Sequence, residues 1–142
     1  MDSLKLEKGF LYKEEVFRIR GAIFAVYRSM GAGFLEAVYQ ECLAIELSRR
    51  GLEFEPQSSL RLSYEGQLLR QAYVADFVCC VRIVLEIKAL RAIAPEHRAQ
   101  IINYLRATGM KLGLLVNFGA TPRVKIERFA LSLSAPSAVS SN

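Results

Sequence analysis

Asp76, Glu86 and Lys88 interrupt two otherwise apolar runs in YVADFVCCVRIVLEIKAL, residues 73–90. The runs read as two strands joined near Arg82, since β-branched and aromatic residues dominate both. A turn centred on Val81 sets position 76 opposite position 86, because both are equally far from 81. Lys88 then shares the face of Glu86, as side chains two apart along a strand point the same way. Ile83, Leu85 and Ile87 fill the other face. Two carboxylates set opposite each other in a ladder repel. A divalent cation between them removes the repulsion, and hard oxygen donors suit Mg²⁺ or Mn²⁺. Lys88 offsets part of the charge, or holds an attacking water and stabilises a phosphorane-like transition state. The competing reading is an exposed sheet face carrying a Glu–Lys surface pair. The turn holds no Gly, Asn or Asp to fix its centre, and a slip of one residue would separate the two carboxylates across the sheet.

A second group of polar residues follows Pro95. His97, Gln100 and Tyr104 stand at i, i+3 and i+7, hence on one side of a helix. Such a stripe either faces a site or is the solvated side of an amphipathic helix.

The elements that must position these residues are legible from periodicity. Val16, Ile19, Ile23, Phe24 and Tyr27 predict a helix over 14–29, and GAGF at 31–34 breaks it. A second helix is expected from Leu35 to Arg50, with Leu35, Val38, Cys42, Ile45 and Leu47 as its apolar positions and Gly51 ending it. Strands are expected over Ser59–Tyr64, Leu68–Cys79 and Ile83–Ala89, with Glu65-Gly66 as a turn. Pro95 opens a third helix that runs to about Ala107 and stops near Gly109. Leu112–Phe118 reads as a buried strand and Arg123–Phe129 as an edge strand. Helices at both ends of a run of strands predict an α/β domain with a mixed sheet flanked by helices.

The chain has 142 residues, of which 52% are hydrophobic and 23% charged, and carries a formal net charge of +5. One domain over residues 1–131 is expected, followed by a disordered Ser/Ala-rich tail over 132–142. The basic balance favours nucleic acid as partner. Cys42, Cys79 and Cys80 give neither a disulfide framework nor a zinc spacing, and read as buried thiols in a reducing compartment. The N-terminus lacks the apolar run of a signal peptide, and no membrane-spanning run is present, so a cytoplasmic protein is expected.

The spacing D76…E86-I-K88 resembles the D…(D/E)XK signature of the PD-(D/E)XK nuclease superfamily. Gln100 and Tyr104 resemble the QxxxY motif of its exonuclease and helicase-nuclease branches. Gly33-Phe-Leu-Glu36-Ala-Val-Tyr39 is similar to the motif of the GxxExxY family of small prokaryotic proteins within that superfamily. The resemblance runs from about Phe17 to Phe129. It implies a restriction-endonuclease-like core and hydrolysis of phosphodiester bonds with Mg²⁺ or Mn²⁺. It also implies that Asp76, Glu86, the Ile87 carbonyl and Glu36 hold the metal. Lys88 would orient or activate water, while Gln100, Tyr104, His97 and Tyr39 support the site or touch substrate. Ala75 stands where the signature has Pro, and Arg98 beside His97 stands where an acidic residue is expected.

Two functions follow as expectations. The first is a metal-dependent nuclease acting on DNA, favoured by the complete Asp, Glu and Lys set. The second is a catalytically silent nucleic-acid-binding or assembly module with the same fold, whose apolar first helix serves a partner or a homo-oligomer.

Overall fold

The computed structural model describes residues 11–131. The tail expected to be disordered from Ser132 lies outside them. Among the described residues the elements are α1 (Lys13–Met30), α2 (Glu36–Arg49), β1 (Phe54–Tyr64), β2 (Gln67–Cys79), β3 (Ile83–Lys88), α3 (Pro95–Thr108), β4 (Leu112–Asn117) and β5 (Lys125–Ala130). The five strands lie in the order β1-β2-β3-β4-β5. All neighbours are antiparallel except β3 and β4. A parallel pair needs a crossover, and α3 supplies it.

Helices cover both faces of the sheet. On one face Ile19, Ile23 and Val26 of α1 and Tyr39, Leu43 and Leu47 of α2 pack on Phe77, Leu85, Ile87, Leu114 and Val116. On the other, Ile101 and Leu105 of α3 pack on Ala75, Val84 and Leu115. β3 and β4 are therefore buried on both sides, which is why they read as continuous apolar runs.

Two helical stripes differ from expectation. Phe24 is 39% exposed, and α1 buries Ala22 and Val26 instead. On α2 the buried side is Tyr39, Leu43 and Leu47, whereas Leu35 and Ile45 face outward. The inward position of Tyr39 decides this rotation. Its hydroxyl donates to the Gly31 carbonyl and accepts from Phe34 N–H, and its ring stacks on Phe118. A ring with so many partners outweighs a few exposed aliphatic carbons. β1 also begins earlier than expected, at Phe54.

The β2–β3 hairpin turns at Cys80 and Val81, both with positive φ (55° and 67°). A β-branched residue in that region is rare, so no ordinary turn signal marks the position. The register is nevertheless the one expected from symmetry about Val81: Phe77 faces Leu85 and Cys79 faces Ile83.

Candidate active site

The β2–β3 ladder extends only from Cys79/Ile83 to Phe77/Leu85. Beyond it the next residue on each strand is an acid, Asp76 and Glu86. In place of a ladder bond, the Ile87 N–H donates to Asp76 Oδ2 at 2.7 Å. The Asp76 side chain thus takes the place of the neighbouring backbone where the strands part. Its other oxygen accepts from Gln40 Nε2 of α2 at 3.0 Å, and Gln40 Oε1 in turn accepts from Gln57 Nε2 at 3.1 Å. Gln57, on β1, has a φ of 48°.

Glu86 and Lys88 face α3. They line a cavity of 270 Å³ together with Tyr73, His97, Gln100 and Tyr104. Asp76 turns toward α2 and the Ile87 amide, while Glu86 faces the α3 cavity. Where the ladder ends, the Ile87 amide demands an acceptor, and Asp76 supplies it.

The electrostatics tie these groups together. Burial pushes the Glu86 carboxyl up to about 7; the Lys88 ammonium opposes the rise and Glu36 adds to it. Glu86 Oε2 is enclosed and has no hydrogen-bond partner. Asp76 is raised as well, burial outweighing the Ile87 amide, Lys88 and the two glutamines. Glu36, the first residue of α2, is raised by burial and by Asp76, and lowered by Lys88. Glu36 thus feels the charges of Asp76 and Lys88 and acts on Glu86.

An enclosed carboxylate oxygen with no donor is costly as an anion. A proton or a small hard cation relieves it, and the oxygen donors of Asp76 and Glu86 fit Mg²⁺ or Mn²⁺. Among the described residues no three His, Cys, Asp or Glu side chains are gathered closely enough to hold an ion by themselves. The set fits a cation that takes two carboxylates and completes its shell with backbone carbonyl or water oxygens, as Mg²⁺ does.

The α3 stripe is brought to the same cavity. Tyr104 stacks on Tyr73 at 4.0 Å between ring centres, and Gln100 sits exposed at the rim. His97 Nδ1 accepts from Ala94 N–H at 2.9 Å. That bond starts the helix and leaves the ring proton on Nε2. Tyr39, by contrast, is fully buried and lines no part of the cavity. It holds the Gly31–Phe34 turn from which Glu36 emerges. Arg98 does not add charge to the site: it makes a two-point bond to Glu127 of β5, at 2.6 and 2.9 Å.

Gln40, Tyr73 and Asn117 were not anticipated. Gln40 follows Glu36 by four residues, one turn along the same side of α2, and that spacing was a readable signal. Asn117 is a lone amide closing the apolar run LGLLVN, and it is 1% exposed. Its Oδ1 accepts from Leu90 N–H at 2.8 Å and Gly119 N–H at 3.1 Å, and its Nδ2 donates to the Leu90 carbonyl at 2.8 Å. This clamp fixes the chain just after Lys88. Gly119 completes it, since a Cβ there would collide with the Leu90 backbone. Asn117→Ala is expected to cost about 3 kcal/mol, because buried backbone groups lose their partners. Urea unfolding checks it, and a loss below about 1 kcal/mol would show that the clamp carries little weight.

A family model for the PD-(D/E)XK nuclease superfamily matches residues 13–129. The chain belongs to the PD-(D/E)XK nuclease superfamily. The crystal structure of SSO0001 is similar to it, with a TM-score of 0.53 and 20% identity over 68% of this chain and 50% of that one. The chain spans about half the length of SSO0001, and the likeness is one of fold. A search of curated proteins finds no match. The mixed five-stranded sheet flanked by helices is the restriction-endonuclease-like architecture of the superfamily. Among the described residues no helix is long and apolar enough to cross a membrane.

Proposed function

We propose that this PD-(D/E)XK protein is a metal-dependent nuclease that hydrolyses phosphodiester bonds in DNA, and that it is a GxxExxY-type member folded as one domain over residues 1–131. The observation that carries the reading is the enclosed, unpartnered Oε2 of Glu86, a residue that lines a cavity together with Lys88. Asp76, Glu86, the Ile87 carbonyl and Glu36 would hold Mg²⁺ or Mn²⁺. When bound, the cation offsets charge on the scissile phosphate and lowers the pKa of a water. Lys88 donates to a non-bridging phosphate oxygen or orients that water. Gln100 and the His97 Nε2–H, at the cavity wall, hold the adjacent backbone, and the Tyr73–Tyr104 stack forms the apolar side. The three cysteines, all free thiols, suit a reducing cytoplasm.

Lys88→Met keeps the aliphatic stem and removes the charge. Against a panel of single- and double-stranded DNA and RNA with Mg²⁺ or Mn²⁺, the wild type is expected to cut DNA. The variant should be at least about 100-fold slower, the scale of a lost electrostatic stabiliser. Equal cleavage by both proteins would remove Lys88 from the chemistry.

The second reading, a silent nucleic-acid-binding or assembly module, draws support from the lack of a three-residue ligand group among the described residues. Nucleic acid bound tightly and left uncut with every divalent metal would select it.

A further inference from the structure

The outer side of α1 holds residues that the catalytic reading does not use. Phe17 and Phe24 are 77% and 39% exposed. They share one side of the helix roughly 10 Å apart. Arg20 lies between them, its guanidinium 5.3 Å from the centre of the Phe24 ring. Beside them, between α1 and the segment entering β5, runs a groove of 620 Å³ lined by Arg20, Phe24, Arg28, Arg123 and Lys125 among others. No acidic side chain among the described residues lines it. A second groove along α1 shares Arg20 and includes Phe17 and Arg18.

The charge selects the occupant. A second copy of the chain carries the same net charge of +5 and is repelled by such a groove. Residues 1–10 hold Asp2 and Glu7 against Lys5 and Lys8, and so offer no complementary charge. A polyanion that also presents flat apolar faces satisfies both features. Single-stranded nucleic acid does this: phosphates pair with Arg and Lys, and unpaired bases stack on aromatic rings. A duplex keeps its base faces hidden.

We propose that the groove between α1 and β5 is a binding site for single-stranded nucleic acid, separate from the cavity under α3. α1 and α3 pack on opposite faces of the sheet, so a strand held here lies away from Glu86 and Lys88. The site tethers substrate and requires no cleavage to be seen.

The test measures fluorescence anisotropy of a labelled 20-nucleotide oligo-dT in EDTA across a salt series. R28Q/R123Q neutralises two groove cations. It is expected to weaken binding at least tenfold and to flatten the log–log salt slope by about 1.4, at about 0.7 per phosphate contact on a single strand. Phe24→Ala should weaken binding roughly tenfold with the slope unchanged, since stacking is not ionic. R49Q/R70Q, with the same charge change elsewhere, should stay within about twofold, because it removes no groove contact. Equal losses in the two arginine pairs would reduce the effect to net charge and overturn the site. Full affinity in Phe24→Ala would do the same. So would sedimentation showing a wild-type dimer that R28Q/R123Q dissociates, because a second copy would then cover the groove. Thermal melts verify folding, and if the double variant melts early, R123Q alone, on an exposed loop residue, is compared with R70Q alone, with a slope change of about 0.7 expected.

Discussion

Glu86→Gln is expected to yield a protein without nuclease activity that, in EDTA at pH 8, is more stable than the wild type. Burial lifts the wild-type carboxyl from an ordinary 4.5 to about 7. A raised acid pKa means that the folded state binds the proton more tightly than the unfolded chain. Stability linked to this group is therefore complete below pH 4.5 and is lost as pH rises through about 7. At about 1.4 kcal/mol per pH unit, the ionised group costs the fold about 3 kcal/mol by pH 8. Glutamine does not titrate and escapes that cost. In a domain of this size the difference is roughly 5–10 °C in Tm at pH 8, shrinking toward zero near pH 5. Mn²⁺ should raise the wild-type Tm by mass action and leave the variant nearly unmoved. An exposed Glu86 with no part in metal binding would give superimposable pH–Tm curves and no metal response in either protein. Differential scanning calorimetry at pH 5 and pH 8, with and without Mn²⁺, decides between these outcomes.

The sequence made the register of the β2–β3 hairpin legible, because Asp76 and Glu86 are symmetric about Val81 and the apolar residues between them have one consistent face. It also made α3 legible: Pro95 begins it and Gly109, with φ 80°, ends it. What periodicity could not reveal is where a ladder stops. The β2–β3 pairing ends one residue short of Asp76 and Glu86, and the Asp76 carboxylate takes the Ile87 amide in place of a ladder bond. The rotation of α2 was misread for a related reason. Leu35 and Ile45 are more apolar than Tyr39, and only the tertiary partners of the Tyr39 hydroxyl and ring put that residue inside. The positive φ of Cys80 and Val81 had no sequence signal, since neither residue favours that conformation. Gln57, the end of the chain of amides behind Asp76, also had none, because its role depends on β1 passing beside α2. The place of Arg98 depended on β5: its partner Glu127 is 29 residues away, a distance over which local pattern carries no information.

Asp76 is expected to separate its two roles when replaced in two ways. Its carboxylate is an acceptor for the Ile87 amide and for Gln40, and in the proposed function it is also a metal ligand. Alanine removes both functions. The Ile87 N–H, on a residue that is fully buried, is left without a partner where the strands part, and Gln40 loses its acceptor. The loss should be about 2–3 kcal/mol, the cost of leaving such a donor unsatisfied together with a lost side-chain bond. Asparagine keeps one acceptor oxygen at the same reach. Turned toward Ile87, it preserves the 2.7 Å contact and presents its amide to Gln40, whose own side chain can rotate to accept. Stability should then stay within about 1 kcal/mol of the wild type, since one neutral bond replaces one charge-assisted bond. Burial raises the wild-type carboxyl, and removing the charge offsets part of that loss in metal-free protein above the ordinary carboxylate range. Activity should fall in both variants by at least about 1,000-fold, because a neutral amide is a poor ligand for a hard divalent cation. Urea midpoints and cleavage rates measured on the same preparations make the comparison. An unstable but active Asp76→Ala would make the residue a strand-end cap and nothing more. A stable, inactive Asp76→Asn beside an unstable, inactive Asp76→Ala is the pattern that assigns both roles to one side chain.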